Sequence, residues 1–218
     1  MLLSRYGIRE WGLATIVALV LFVIFAWLGW WWLIIIPALG WIVVAGFFRD
    51  PLLRRPASND PRLLISPADG RITAVERLKE HEATHGEPAV LVRIFLSVLD
   101  VHLNRAPCDG IVESITHRPG KYLDARSEES ARVNESNLLV LRCADDEPVG
   151  IRQVSGAIAR RIVCPLNKGD ALTRAQRYGM IKFGSTTELI VRDREGVEPQ
   201  VAVGDRVRGG VTPLLRIP

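Results

Sequence analysis

The chain has 218 residues, which is room for one sizeable domain and an accessory segment. Hydrophobic residues make up 48% of it, and the formal net charge is +4. The basic residues are scattered and form no recognisable nucleic-acid-binding module, so the charge favours anionic lipid headgroups over nucleic acid as a partner. The three cysteines lack a Cys-x-x-Cys spacing and the four histidines lack a His-Glu-x-x-His spacing, so no metal site is expected. We interpret the cysteines as reduced thiols in, or facing, a cytoplasm.

The first element is an apolar segment, Trp11 to Phe48, which carries no charged residue and contains all six tryptophans. A membrane-spanning helix needs about 20 apolar residues, so the segment is too long for one crossing and marginal for two. Tryptophan favours the membrane interface, which places a turn near Gly29. We therefore predict a short helical hairpin, and leave open whether it spans the bilayer or is re-entrant, since its second arm is short and contains Pro37.

Arginines flank the apolar segment on both sides, at positions 5, 9, 49, 54 and 55. Positive flanks favour the cytoplasmic side, so we expect both ends of the hairpin, and the domain that follows, on the cytoplasmic side of the inner cell membrane. A single span with an exported carboxy-terminal domain is the alternative. We assign residues 1–56 to the anchoring segment and its linker, and residues 57–218 to a separate domain.

The second domain is predicted to be mostly β. Its clearest strands are Ala89 to Leu96, Asn137 to Arg142 and Val149 to Val163. Asp-Gly at 69–70 recurs at 109–110, and Gly-Asp at 169–170 recurs at 204–205, as expected of hairpin turns. Similar turns occur in biotinyl/lipoyl-like barrel-sandwich domains. Tyr122 to Val133 is the best helix candidate in this domain, with an irregular loop as the alternative.

The stretch Gly179 to Arg192 predicts two short strands with a tight junction at Gly184-Ser185. Taken alone, a Gly-Ser pair is an ordinary turn. Two further stretches have the residue types of a site: Ser66 to Gly70, whose Asp69 stands in a Pro-x-Asp-Gly turn, and Asp100 to Pro107, whose His102 follows a strong β run. A turn aspartate and a loop histidine are by themselves commonly structural.

Together these stretches resemble the phosphatidylserine decarboxylase family. Lys182 to Glu188 (Lys-Phe-Gly-Ser-Thr-Thr-Glu) looks like the self-processing site of that family, and Asp100 to Pro107 (Asp-Val-His-Leu-Asn-Arg-Ala-Pro) matches its short form. Phe47 to Pro51 (Phe-Phe-Arg-Asp-Pro) is similar to the family's junction between anchor and catalytic domain. The resemblance covers about residues 47–189.

The resemblance implies a membrane-bound carboxy-lyase that cuts itself between Gly184 and Ser185, giving a β chain of residues 1–184 and an α chain of residues 185–218. Ser185 would become a pyruvoyl group, the covalent cofactor, and would form a Schiff base with the serine amine of phosphatidylserine. His102 is implied as the acid/base group and Asp69 as a support for processing. The implied partners are the phospholipid, the membrane and the other chain of the cleaved pair, with a higher oligomer left open. The chain has four lysines and no glycine-rich phosphate cup, so pyridoxal phosphate is not expected.

The sequence evidence for substrate-binding residues is weaker. Arg160 and Arg161 suit phosphate because an arginine fork binds phosphoryl oxygens in pairs, although a solvated strand edge explains them as well. The resemblance adds Asn137 on the substrate side. Arg105 stands where longer family members carry a second histidine, so the group that activates Ser185 is left open between His102 and Arg105.

Three alternative functions remain. The first is decarboxylation of archaetidylserine by the same chemistry. The second is a pyruvoyl enzyme acting on a soluble amine, which the apolar segment disfavours. The third is a membrane-anchored β-domain adaptor without activity, for which the combination of Gly184, Ser185, Asp69 and His102 would have no use.

Overall fold

The computed structural model describes residues 2–143, 146–157, 161–182 and 184–218, in two compact units that divide between residues 52 and 53. In the first unit, helices α1 (Ile8–Trp27) and α2 (Ile35–Phe47) form the predicted hairpin, and strands β1 (Leu2–Leu3) and β2 (Arg49–Asp50) pair beside it. The chain reverses at Gly29, whose φ of +73° lies in the left-handed region that glycine tolerates. The turn predicted near this residue is confirmed.

The two arms of the hairpin differ in length. The helical segment Arg5–Trp27 is long and apolar enough to cross a membrane, whereas Trp31–Phe47 is shorter. The Trp41 indole donates a hydrogen bond of 2.9 Å to the Thr15 hydroxyl and ties the arms together. α1 buries none of its residues, as expected of a helix whose apolar side chains face lipid.

The second unit is mostly β, which confirms the predicted fold class. Its elements are β3 (Leu63–Ile65), β4 (Gly70–Leu78), β5 (Ala89–Leu96), β6 (Leu103–Arg105), β7 (Gly110–Arg118), α3 (Glu128–Val133), β8 (Ser136–Arg142), β9 (Pro148–Val154), β10 (Arg161–Val163), β11 (Ala171–Leu172), β12 (Arg177–Lys182), β13 (Ser185–Arg192), β14 (Glu198–Pro199), β15 (Arg206–Val207) and β16 (Pro213–Arg216).

These strands form one large antiparallel sheet and two small ones. The large sheet has the order β11-β7-β8-β9-β13-β5-β4-β15, and the small sheets have the orders β10-β12-β6 and β14-β16-β3. β13 therefore lies near the centre, hydrogen-bonded to β5 on one side and β9 on the other. The residue that opens β13 is Ser185.

The same backbone arrangement occurs twice in the large sheet, once at β4 and once at β7. Ile72 of β4 exchanges two backbone hydrogen bonds with residues 204–205, and Val112 of β7 does the same with residues 169–170. The register of each hairpin shifts directly after these two residues. The recurrence of Asp-Gly and Gly-Asp in the sequence thus reflects two copies of one backbone arrangement.

The sheet separates two apolar clusters. Leu189 and Val191 of β13 contribute to the main core, and Ile190 contributes to a smaller cluster on the opposite face. Because side chains alternate along a strand, Ser185 lies on the main-core face and Glu188 on the opposite one. The three cysteines are free thiols, as predicted.

Two sequence predictions need correction. The single strand over Val149 to Val163 is wrong: β9 ends at Val154, and β10 belongs to another sheet, because the chain leaves the large sheet at Ser155-Gly156. The helix expected over Tyr122 to Val133 forms only in its second half. There the Ser127 hydroxyl accepts a hydrogen bond from the Ser130 amide and caps α3, so the residues before it are not helical.

Candidate active site

The Gly184-Ser185 step joins β12 to β13. Gly184 has a φ of +49°, a left-handed conformation that costs glycine little and other residues more. Ser185 then enters β13 opposite Leu96 of β5. The two strands and the tight junction predicted from the sequence are both present. Phe183, which precedes the step, lies outside the described residues.

His102 contacts the step directly and is fully buried. The Gly184 amide donates a hydrogen bond of 3.2 Å to Nε2 of His102, and Nδ1 lies 3.0 Å from the carbonyl oxygen of Asp100. Because an amide can only donate, Nε2 must carry the lone pair, and Nδ1 must carry the proton that it donates to Asp100. The imidazole is therefore neutral, with its basic nitrogen directed at the step.

The Ser185 hydroxyl is fully buried, and within the described part of the chain its Oγ has no hydrogen-bond partner. A buried hydroxyl without a partner costs about 1–3 kcal/mol, so such groups are rare and often mark functional positions. No competing interaction of a described residue has to be broken before this oxygen reacts.

Gly156 packs against the carbonyl group of Gly184. A Cβ atom placed on Gly156 would lie 2.1 Å from the carbonyl oxygen of Gly184 and 3.1 Å from its carbonyl carbon. It would also lie 3.1 Å from Cβ of Ala125. Only glycine fits here. The sequence pattern points to the arginines at positions 160 and 161 and gives no sign of Gly156, whose role depends on a contact 28 positions along the chain (184 − 156).

Asp69 is held by a residue that sequence reasoning interpreted differently. Arg54 binds both of its carboxylate oxygens, with Nη2 2.7 Å from Oδ2, and the Gly209 amide donates to Oδ1 at 2.9 Å. We had counted Arg54 among the charges that flank the apolar segment. Arg54 stands 15 residues before Asp69 in the chain, so the local sequence gives no signal of the pairing.

The three candidate substrate-binding residues that the structure describes lie on three different strands. Arg105 is buried in β6, where its Nη1 donates to the carbonyl oxygen of Ala175 at 3.0 Å. Arg161 opens β10 and is exposed, while Arg160 lies outside the described residues. Asn137 is buried in β8.

Asn137 belongs to a buried chain of amide side chains that ends beside the step. Its Nδ2 donates to Gln153 Oε1 at 3.1 Å, and Gln153 Nε2 donates to Asn104 Oδ1 at 2.9 Å. Asn104 Nδ2 donates in turn to Thr187 Oγ1 at 3.2 Å. Burial raises the pKa of the neighbouring Cys164 thiol, which keeps it protonated. This chain fixes the face of β13 that carries Ser185.

The opposite face of β13 carries a buried ion cluster. Glu188 accepts a hydrogen bond from Nε of Arg93 at 2.8 Å and lies 3.3 Å from Nη1 of Arg152. The carboxylate is fully buried, whereas both arginines are partly exposed. The cluster anchors the middle of β13 and does not contact the Gly184-Ser185 step.

Comparisons with known proteins identify relatives over most of the chain. A family model described as phosphatidylserine decarboxylase matches residues 42–214. The phosphatidylserine decarboxylase proenzyme of Rhodopirellula baltica is 41% identical over 215 residues, which cover 97% of this chain and 87% of the relative. The proenzyme of the same name from Paraburkholderia phytofirmans is 36% identical over 220 residues, covering 99% and 97%. That of Cupriavidus metallidurans is 40% identical over 178 residues, covering 80% and 79%.

Proposed function

This chain belongs to the phosphatidylserine decarboxylase family, and we propose that it converts phosphatidylserine to phosphatidylethanolamine with a pyruvoyl group made from its own Ser185. The observation that carries the proposal is the Gly184-Ser185 step itself. A buried hydroxyl without a partner among the described residues follows a left-handed glycine whose amide bonds to the lone pair of His102.

Self-processing would begin with attack of Ser185 Oγ on the carbonyl carbon of Gly184. His102 is the group we assign to take the hydroxyl proton, once its Nε2 exchanges the Gly184 amide for the hydroxyl. The proton passes to the amide nitrogen of residue 185 as its bond to Gly184 breaks, which leaves an ester and a free amine. Glycine at position 184 supports this step, because it adopts at little cost the left-handed backbone that the junction before Ser185 requires.

Cleavage would follow by elimination. Residue 185 loses its Cα proton, the Cβ–Oγ bond breaks, and Gly184 leaves as a carboxylate. Water then adds to Cα of the dehydroalanine at position 185, ammonia departs, and a ketone remains. The products are chains 1–184 and 185–218, the second 34 residues long (218 − 184).

The residues around position 185 fit a small ketone. The buried Ser185 oxygen, which has no hydrogen-bond partner among the described residues, and the neighbouring neutral imidazole provide polar groups at the reacting atom. When present, a pyruvoyl ketone supplies the electron sink that decarboxylation of an α-amino acid requires. We also assign His102 to return a proton to the α-carbon of the product, since its Nε2 faces the Gly184-Ser185 step.

The remaining parts of the chain support a lipid substrate. The helical segment Arg5–Trp27 is long and apolar enough to anchor the protein in the inner membrane, and arginines at both ends of the apolar segment favour a cytoplasmic catalytic domain. We further propose that residues 57–218 form the catalytic domain, and that the two processed chains remain together as a heterodimer.

Intact mass measured under denaturing conditions tests the proposal before any substrate is added. We expect two chains that meet at 184/185, with the smaller about 17 Da lighter than a serine amino terminus requires, since a ketone replaces the amine-bearing carbon. The Ser185→Ala variant should remain one chain near 24.3 kDa and release no carbon dioxide from phosphatidylserine. Ser114→Ala, in β7, is the matched control and should be processed normally.

A cleaved, active Ser185→Ala protein would exclude the mechanism. A wild-type protein that stays uncut and inactive would favour the adaptor instead. Parallel assays with archaetidylserine and with free serine separate the two remaining alternatives, because only the preferred substrate should give the higher kcat/KM.

A further inference from the structure

The turn between β5 and β6, residues Ser97 to Asp100, presents apolar side chains to solvent. Val98 is 43% exposed and Leu99 is 83% exposed. The turn is well ordered, because the Asp100 amide donates to the Ser97 carbonyl at 2.9 Å and the Ser97 amide donates to Asp100 Oδ2 at 2.8 Å. A turn apex is ordinarily polar, so two exposed aliphatic residues at this apex require an explanation.

This 97–100 turn borders the candidate active site. A Cβ atom placed on Gly184 would lie 4.0 Å from Cγ2 of Val98, and the carbonyl oxygen of Asp100 accepts the Nδ1 proton of His102. The same short turn thus positions the imidazole at one end and exposes leucine at its apex. Any substrate that approaches Gly184 from the side of Val98 meets the turn first.

The proposed substrate constrains what the turn can meet. The acyl chains of a phospholipid stay in the bilayer, while Ser185 and His102 are fully buried in the protein. The reacting headgroup can reach them only if the rim of the site lies in the headgroup layer. Aliphatic side chains at that rim favour this position, because moving one leucine from water into an apolar environment changes an equilibrium by about 10-fold to 100-fold.

We propose that the 97–100 turn is a membrane-contact loop that inserts Val98 and Leu99 into the lipid interface beside the active site. The inference rests on the proposed function, since it takes the substrate to be a bilayer lipid. It adds a second membrane contact, made by the catalytic unit itself and separate from the helical hairpin.

The chain contains a matched control. Ala202 to Asp205 forms a turn with the same two bonds: the Asp205 amide donates to the Ala202 carbonyl at 3.1 Å, and the Ala202 amide donates to Asp205 Oδ2 at 2.8 Å. Val203 at its apex is 63% exposed. Aspartate at position 203 therefore introduces the same charge into the same kind of turn, in the segment that precedes β15 instead of the β5–β6 connection.

The first test compares Leu99→Asp with Val203→Asp in the full-length protein. Each is assayed on phosphatidylserine in vesicles and on short-chain phosphatidylserine below its micelle concentration. We expect Leu99→Asp to lose about 10-fold or more in kcat/KM on vesicles, through KM, and to stay within twofold of wild type on the monomeric lipid. Val203→Asp should match wild type on both. Equal losses of Leu99→Asp on the two substrates, or no loss on vesicles, would overturn the proposal.

The second test does not depend on activity. A nitroxide label is attached to Leu99→Cys or Val203→Cys in the full-length protein in phosphatidylglycerol/phosphatidylcholine vesicles, and its collision rates with oxygen and with a water-soluble nickel chelate are compared. The wild type gives the background, since its three thiols are buried or half-buried. The label at position 99 should collide more often with oxygen, and the label at position 203 should collide more often with the chelate. Equal accessibility at both would refute insertion, even if the decarboxylase activity is confirmed, and insertion without activity would refute only the proposed function.

Discussion

Replacing Gly156 by alanine places a methyl group against the bond that is proposed to break. The added Cβ would lie 2.1 Å from the carbonyl oxygen of Gly184, and real Cβ atoms do not approach other atoms closer than 3.0 Å. The two groups must therefore separate by at least 0.9 Å (3.0 − 2.1). The Cβ atom of Ala125 would lie 3.1 Å from the same added atom, and we expect the Gly184 carbonyl to be displaced because it is the nearer of the two contacts.

A displacement of about 1 Å at a reacting centre can cost about 10²-fold in rate, because the attacking and attacked atoms no longer align. We expect Gly156→Ala to slow self-cleavage by about that factor. The assay follows the fraction of precursor cut after synthesis, by gel and by intact mass. Gly40→Ala is the control, since Gly40 has an ordinary backbone conformation and no atom within 4 Å of its added Cβ.

Hydroxylamine separates misalignment from a later defect, because it cleaves an ester and leaves the unreacted peptide intact. If the carbonyl of Gly184 is displaced, no ester accumulates, and hydroxylamine should not release the two chains from Gly156→Ala. Chain release by hydroxylamine would show that attack still occurs. A folded Gly156→Ala protein that is cut at the wild-type rate would refute the geometry described for the step.

Three further outcomes are expected. His102→Gln keeps an acceptor for the Gly184 amide but cannot carry a proton, so turnover of any processed enzyme should fall by at least 10²-fold; near-normal kcat would remove His102 from proton transfer. Glu188→Ala removes the buried carboxylate that pairs with Arg93 and Arg152 and should destabilise the fold by about 3 kcal/mol in chemical denaturation, whereas Glu76→Ala, at the exposed rim of the cluster, should cost less than about 1 kcal/mol. Burial lowers the pKa of His81, so below about pH 6.5 the unfolded chain binds more protons than the folded one, and the free energy of unfolding should fall as the pH drops from there. His81→Asn should remove this dependence of the free energy of unfolding on pH. An unchanged dependence would contradict the assignment to His81.

The sequence was informative where chemistry and local pattern coincide. Gly184 and Ser185 stand between two β-type runs, and His102 follows a third. The hydrophobic pattern therefore predicts a position at a strand end for all three residues, and the family resemblance supplies their proposed roles. β5 follows directly from its nearly continuous apolar run, and the start of β13 follows from its two β-branched threonines.

What the sequence concealed depends on tertiary contacts. Gly156 has no local signal, because its role is set by the carbonyl of Gly184, which lies between β12 and β13. In the sequence, Arg54 is one of several arginines that follow the apolar segment, and only the fold shows that it binds Asp69. The amide chain from Asn137 to Thr187 crosses four strands, so no spacing in the sequence reveals it.

The central position of β13 has a consequence for how the mature protein comes apart. Cleavage at 184/185 would leave β13 bonded to β5 and β9, and β15 and β16 bonded to β4 and β3, all of them strands of the larger chain. Unfolding of the precursor is a first-order event, but unfolding of the cut protein is a dissociation, so its midpoint should rise with protein concentration. Dilution and heat would then separate two fragments that must find each other again by a second-order reaction. The precursor would thus be maintained by a reversible folding equilibrium, whereas the lifetime of the processed protein would depend on how slowly the small chain dissociates from the sheet.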